Sequence, residues 1–224
     1  MTDSAQHPTD NGYHREVGVG PWEGPWPTGE QYDPQLLAEG DRRNVLDRYR
    51  YWTVEAIVAD LDRSRHGLHI AIENWQHDFN IGTVVRTANA FNVAGVHIIG
   101  KRRWNRRGAM VTDRYLHVEH HPTIDGFVAW AQENNLPILA VDLFADSVAI
   151  EEFSFPRECV MVFGQEGPGI SEDIHRAATA TLAIAQYGST RSINAGVAAG
   201  IAMHEWVRQH AVRSAGPDRR VVDG

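Results

Sequence analysis

The chain has 224 residues, 42% of them apolar, and 29 acids against 21 lysines and arginines, for a formal net charge of −8. That length suits one α/β domain with an extension, and the apolar fraction is enough for a real core. A single cysteine, Cys159, excludes an internal disulfide and a cysteine zinc cluster. No apolar run approaches the roughly 18 residues of a membrane span, so a cytoplasmic protein with no membrane partner is expected.

Residues 1–33 hold Pro8, Pro21, Pro25 and Pro27, many glycines, and Trp22 and Trp26. They show neither helical nor strand period and are expected to form a flexible acidic arm. Six acids against Arg15 give residues 1–34 a net of −5, which leaves −3 for the rest. Residues 34–66 read as a helical extension. Leu36, Leu37, Val45, Leu46, Tyr49, Trp52, Ala56 and Ile57 recur at roughly helical spacing over 34–62, with Gly40 as a break point.

Strand and helix then alternate through a domain at 67–212. Strands are expected at 68–72, 96–99, 137–143, 160–163 and 181–184. Helices are expected at 80–92, 123–135 (N-cap Thr123), 171–177 and 192–211. Continuous apolar strands between helices imply a mostly parallel sheet covered on both faces. Residues 213–224 read as a frayed tail.

Three segments carry candidate chemistry. In Asn80-Ile-Gly-Thr-Val-Val-Arg86, Asn80 suits an N-cap and Gly82 leaves room for a ligand. Ile81, Val85 and Ala88 mark the buried stripe, and Arg86 at its border needs an anionic partner, structural or functional. Phe163-Gly-Gln-Glu-Gly-Pro-Gly169 follows a strand and can expose backbone N–H groups in a tight loop. It is neither a Walker loop nor a GxGxxG fingerprint. The third runs from the strand ending at Ile184 through a polar loop to Ser192-Ile-Asn194. It enters a helix in which Gly196 and Gly200 each cost roughly 1 kcal/mol relative to alanine. Close approach of backbone or ligand would offset that cost.

The cluster Lys101, Arg102, Arg103, Arg106 and Arg107 surrounds Trp104. Five like charges point to an anionic partner such as RNA, with Trp104 available to stack on a base. Pairing with the acidic arm is the alternative. The twelve histidines show no HExxH, and adjacent His120 and His121 would point apart, so no metal site is expected. No GxSxG appears. Cys159, beside an apolar run, reads as a core thiol.

In this order and spacing the three segments resemble the SpoU/TrmH family of SPOUT-class RNA 2′-O-methyltransferases. Asn80, Gly82 and Arg86 match its first motif; Gly164, Glu166 and Gly169 its second; Ile184, Ser192, Asn194 and Glu205 its third. The sequence departs at Ala185-Gln186, Ala195-Gly196 and Gln165. The resemblance covers about residues 68–210 and implies a C-terminal trefoil knot and a homodimer whose site takes residues from both subunits. It also implies S-adenosylmethionine as cofactor, no metal, and the ribose 2′-OH of a tRNA or rRNA as substrate.

By the same resemblance Arg86 is the catalytic residue, as a base or as a positioning cation. Asn80 and Asn194 orient it or the ribose, and Ser192 meets the cofactor or the hydroxyl. Glu166 bonds within its loop or across the dimer. Backbone at Val141, Gly164 and Ile184 holds the cofactor, with Gln186 beside the adenine. Two other readings stay open: a catalytically silent RNA-binding relative, and a SPOUT enzyme that methylates a base.

Overall fold

The computed structural model describes residues 18–75, 80–165 and 167–211. The chain divides into two compact units, Met1–Ile57 and Val58–Gly224, with the boundary inside a helix.

In the first unit, Asp33 caps α1 (Pro34–Glu39) by accepting from the amides of Gln35 and Leu36. The helix expected over 34–62 does not continue. At Gly40 the chain turns with φ 93°, and a Cβ there would meet the Val19 carbonyl at 2.6 Å. The fully buried Asp41 then organises the next ten residues. It accepts from the Arg43 guanidinium at 2.9 and 2.7 Å and from the Tyr51 amide at 3.0 Å. Burial alone would raise the pKa of Asp41, but these bonds outweigh it and hold the carboxyl below its usual range. Helix resumes as α2 (Val54–Asp62). The break at Gly40 is as expected, but between it and α2 the apolar spacing read as helix is met by a 3₁₀ turn that buries Tyr49. Residues 18–33 bridge to this segment at Val19–Asp41 and Tyr32–Trp52, and the Trp22 ring meets Tyr51 edge-on at 5.3 Å. Residues 1–17 lie outside the described residues.

The second unit runs β1 (His66–Asn74), α3 (Ile81–Ala90), β2 (Val93–Gly100), β3 (Val118–His121), α4 (Ile124–Glu133), β4 (Ile138–Val141), β5 (Val148–Ala149), β6 (Cys159–Phe163), α5 (Glu172–Ala177), β7 (Ala180–Ala183) and α6 (Ala195–His210). The strands form one parallel sheet in the order β3-β2-β1-β6-β4-β7-β5. Strand alternation divides the core as a doubly covered sheet requires. Leu68, Ile70, Ile72, Met161 and Phe163 pack under Ile81 and Val85 of α3 and Ala199, Ala202 and Met203 of α6. Ala71, Val160 and Val162 face Phe127 and Ala131 of α4 and Ile174 of α5. Thr123 and Ser171 cap α4 and α5 through their side chains, as their positions lead one to expect.

The strands and helices expected within 67–212 are all present within a few residues, and β3 and β5 are additional. Val118-Glu-His-His121 has one apolar residue and no alternation, and β5 has two residues; both are edge strands. Cys159 is fully buried, which pushes its thiol up to about 12. Among the described residues no helix is long and apolar enough to cross a membrane.

Three imidazoles run in a row from β1 to β3 beneath α4. His69 Nδ1 lies 3.0 Å from His97 Nε2, and His97 Nδ1 lies 3.0 Å from His121 Nε2. Burial pushes His69 down to about 4, and burial with the two neighbouring imidazoles pushes His97 down to about 2.

Candidate active site

Parallel α/β sheets place ligands beyond the carboxyl ends of their strands. There, past β4, β6 and β7, a cavity of about 960 Å³ opens between the loops 164–170 and 185–194. Val141, Gly164, Ile184, Gln186 and Ser192, the five residues proposed for a cofactor from sequence, all line it, and so does Asn194.

The first loop is built from the end of β6. Gln165 and Gly169 exchange backbone hydrogen bonds at 3.2 and 3.0 Å, closing a tight turn. A Cβ on Gly164 would overlap the backbone of Gly169 and Ile170. The glycine is thus required by the loop's own return, in keeping with the tight loop expected from sequence. Asp142, at the end of β4, accepts from the Ile170 amide at 2.8 Å and the Leu143 amide at 2.7 Å. Gln165 Oε1 accepts from the Trp75 amide at 3.0 Å, and the buried Glu73 accepts from the Ser171 amide at 2.8 Å. These bonds tie the loop to β1 and β4. Glu166 lies outside the described residues.

The second loop carries Gln186, whose Oε1 is buried without a hydrogen-bond partner. An orphaned buried oxygen costs about 1–3 kcal/mol, so a donor from outside the chain fits here. The loop ends at Asn194. This residue, not Ser192, is the N-cap of α6: its Oδ1 accepts from Gly196 and Val197 amides at 2.9 and 3.2 Å. Its Nδ2 donates to Asn80 Oδ1 at 2.8 Å. Asn80 makes no cap bond to its own helix; its side chain reaches α6 instead. Two residues 114 positions apart are thereby joined at the cavity rim.

Close helix approach explains the small residues. Gly196 faces Thr83 of α3 at 3.0 Å from a would-be Cβ, while Gly200 has only ordinary contact with Thr87. Gly82 packs on the backbone of Gly108 and Ala109 at 2.8 Å. Its missing side chain thus makes room for the protein's own loop. At about 100° per residue, Arg86 falls on the open side of α3, between the Gly82 side and the Thr83–Thr87 side. Arg86 is exposed, lies outside the cavity lining, and has no hydrogen bond or ion pair among the described residues. The anionic partner expected from its place at the stripe border is not found among the described residues.

The basic segment leaves the end of β2. Asn74 Nδ2 donates to the carbonyls of Lys101 and Arg103 at 2.7 and 2.9 Å and fixes its start. Lys101, Arg102, Arg103, Arg106 and Arg107 are all exposed. Arg106 lies 3.3 Å from Asp113 and over the Trp104 ring at 5.4 Å. Trp104 is half-buried against the core, so the free stacking platform expected from sequence is a partly used one. Sequence reading missed Asp142 and Arg191, both in the cavity lining. The signal for Asp142 was an acid directly after an apolar strand.

Residues 67–204 match the model of the SpoU rRNA Methylase family. The chain belongs to that family. Among its relatives, the tRNA (guanosine(18)-2′-O)-methyltransferase of Escherichia coli is 28% identical over 152 residues, which are 66% of this chain and 66% of that enzyme, just under two thirds. The Aquifex aeolicus TrmH/SpoU tRNA modifying enzyme shares the fold with a TM-score of 0.64 at 24% identity, covering 71% of this chain and 83% of its own. An AdoMet-bound rRNA methyltransferase from Sinorhizobium meliloti gives a TM-score of 0.59 at 24% identity, covering 67% and 60%. The SpoU match takes in both cavity loops, α3 and most of α6, and leaves residues 1–66 outside.

Proposed function

We propose that this SpoU family member is an S-adenosylmethionine-dependent methyltransferase that modifies a ribose 2′-OH of tRNA or rRNA in the cytoplasm, as a homodimer and without a catalytic metal. The Asn80–Asn194 bond carries this reading. It joins the first and third sequence motifs at the rim of a cavity whose size lies within the range of small-molecule sites.

The cavity fits the cofactor on its own chemistry: polar backbone at Val141, Gly164 and Ile184 for hydrogen bonds, and the orphaned Gln186 oxygen for an exocyclic amine. When bound, the cofactor supplies a methyl group activated by a sulfonium. The chain must then place a weak nucleophile in line and ease loss of its proton. Arg86 stays charged, because arginine's pKa exceeds 12 and deprotonation near neutrality costs several kcal/mol. It holds the neighbouring phosphate and makes the 2′-OH more acidic. Asn80 and Asn194 orient the ribose, and Ser192 meets the hydroxyl or the cofactor. Positioning of this kind supplies much of a barrier reduction.

Arg86 lies outside the cavity lining of its own chain, so in this reading a second copy supplies it. The exposed Val197 and Ile201 on α6, 54% and 40% accessible, give that second copy an apolar face. The C-terminal trefoil knot belongs to the same proposal: Gly196 and Ala199 permit the close passage that threading α6 requires.

Incubation with labelled S-adenosylmethionine and RNA in the presence of EDTA, followed by nucleoside analysis, tests the reaction. The expected product is a 2′-O-methylnucleoside. A methylated base would favour the base-modifying alternative, and absence of cofactor binding the silent relative.

Two further results are expected. Replacing Gln186 with leucine should weaken cofactor binding about tenfold, which is about 1.4 kcal/mol. The same change should raise the melting temperature of the ligand-free protein, because it removes an unsatisfied buried oxygen. Calorimetry and thermal unfolding check the pair, and unchanged cofactor affinity would remove Gln186 from the site. Replacing Arg102, Arg103, Arg106 and Arg107 together with alanine should weaken RNA binding and reduce its salt dependence by up to about four phosphate contacts. Cofactor affinity should hold. Wild-type RNA affinity and salt slope in that variant would move the RNA surface elsewhere.

A further inference from the structure

We propose that His97, Glu119 and His121 form a binding site for one divalent transition-metal ion of the zinc class, separate from the methyl-transfer site and independent of that reading. Strand register assembles the ligands. His97 on β2 pairs with Glu119 on β3, and Ile99 pairs with His121. Glu119 and His121 are two apart on β3 and so project to the face that carries His97. His97 Nδ1 lies 3.0 Å from His121 Nε2 and 3.9 Å from Glu119 Oε2, and one donor atom from each residue falls within 4.8 Å of the others. An ion about 2.0–2.2 Å from each atom with tetrahedral angles needs donors roughly 3.3–3.5 Å apart, so side-chain adjustment suffices. Two imidazoles and a carboxylate suit zinc-class ions rather than calcium or magnesium.

The surroundings match what a metal-bound histidine requires. A ligating imidazole hands its other N–H to an acceptor, which fixes the tautomer. His97 Nε2 lies 3.0 Å from His69 Nδ1, so His69 takes that role. Gly95 leaves room beside the pair: a Cβ there would stand a tight 3.3 Å from His69 Nδ1 and 3.5 Å from His97 Nε2. Trp130 covers His97 with ring centroids 3.9 Å apart, and Phe127 meets His121 at 5.4 Å, giving the site an apolar wall. His97 is fully buried and His121 is 8% exposed, whereas the Glu119 side chain is 54% exposed, so the remaining coordination position opens toward solvent.

Sequence reading could not find this set. His97 and His121 are 24 residues apart with no short ligand motif, and β3 had no strand signature. On the sheet, β3 lies three strands from β6, the nearest cavity strand, or about 14 Å at ~4.8 Å per strand. The ion would thus fasten the short edge strand β3 to β2 and take no part in methyl transfer.

The test uses the full chain, stripped with EDTA, dialysed, and titrated with Zn²⁺ by calorimetry, then loaded with Co²⁺ for absorption spectroscopy. One equivalent of Zn²⁺ should bind, and Co²⁺ should give the visible bands of a low-symmetry four-coordinate site. Glu119→Gln and His121→Gln should each weaken Zn²⁺ binding at least tenfold. His69→Leu should weaken it about 10–100-fold through the lost N–H acceptor. His204→Gln, an exposed histidine on α6, should change nothing. Because Glu119 is exposed, Glu119→Gln decides the matter even if the buried-histidine variants fail to fold. No stoichiometric Zn²⁺ binding, or binding that survives Glu119→Gln unchanged, would overturn the site and leave three neutral, hydrogen-bonded imidazoles.

Discussion

Replacing Gly164 with alanine is expected to lower S-adenosylmethionine affinity at least a hundredfold. A methyl group at this position would overlap the backbone of Gly169 and Ile170, where no flexible side chain can move aside. The turn must open, yet it is held by the paired bonds of Gln165 and Gly169, by Asp142 on the Ile170 amide and by Glu73 on the Ser171 amide. Overpacking of this kind costs about 1–3 kcal/mol, and in a domain of this size each kcal/mol lowers the melting temperature by about 2–4 °C. The cavity wall moves with the loop, because Gly164, Gln165 and Gly169 all line it. The affinity loss, at least about 2.7 kcal/mol, should therefore be at the upper end of the stability loss or beyond it. Gly188 is the control: its would-be Cβ meets nothing within 4 Å, and alanine there should be tolerated. Binding of the Gly164→Ala protein within a few-fold of wild type would mean that the cofactor does not rest on this loop.

The same glycine illustrates how far the sequence could be read. That a tight loop follows β6 was legible from three glycines after an apolar strand. Why Gly164 is a glycine was not, because the atoms it must avoid belong to the loop's own return. Gly82 was misread in the same direction, since Gly108 and Ala109, not a ligand, fill the space beside it. Continuous apolar runs revealed the central strands, because burial on both faces writes itself into every residue. The edge strand β3 has no such imprint and was invisible. Over 34–62 apolar periodicity suggested helix with a break at Gly40; the break is there, but beyond it a buried charge pair overrides the period as far as α2: Asp41 draws in Arg43 and the Tyr51 amide and bends the chain. Asn80 and Asn194 were each legible as candidate site residues. Their contact was not, since it depends on how α3 packs against α6.

Replacing Arg86 with alanine is expected to reduce methyl transfer by about 10²–10³-fold while cofactor affinity and stability hold. In free energy that loss is about 2.7–4 kcal/mol, the size seen when one donor to developing charge is removed. Stability should change by less than about 0.5 kcal/mol, because Arg86 is exposed and makes no ion pair or hydrogen bond among the described residues. Lysine at this position keeps the charge and loses the planar fork, so an intermediate rate is expected from a phosphate clamp. Near-full activity of Arg86→Lys would show that charge alone suffices. Loss of cofactor affinity in Arg86→Ala would move the residue into the cofactor site. The origin of the arginine can be settled by mixing two impaired proteins, Arg86→Ala and Gly164→Ala, at a cofactor concentration that fills the wild-type cavity and leaves the Gly164→Ala cavity empty. If each cavity takes its arginine from the partner, a mixed dimer contains one site with both an intact loop and an intact arginine. Random pairing then restores about a quarter of wild-type sites, well above either parent under these conditions. If Arg86 serves its own cavity, both sites of the mixed dimer lack one component and activity stays at background.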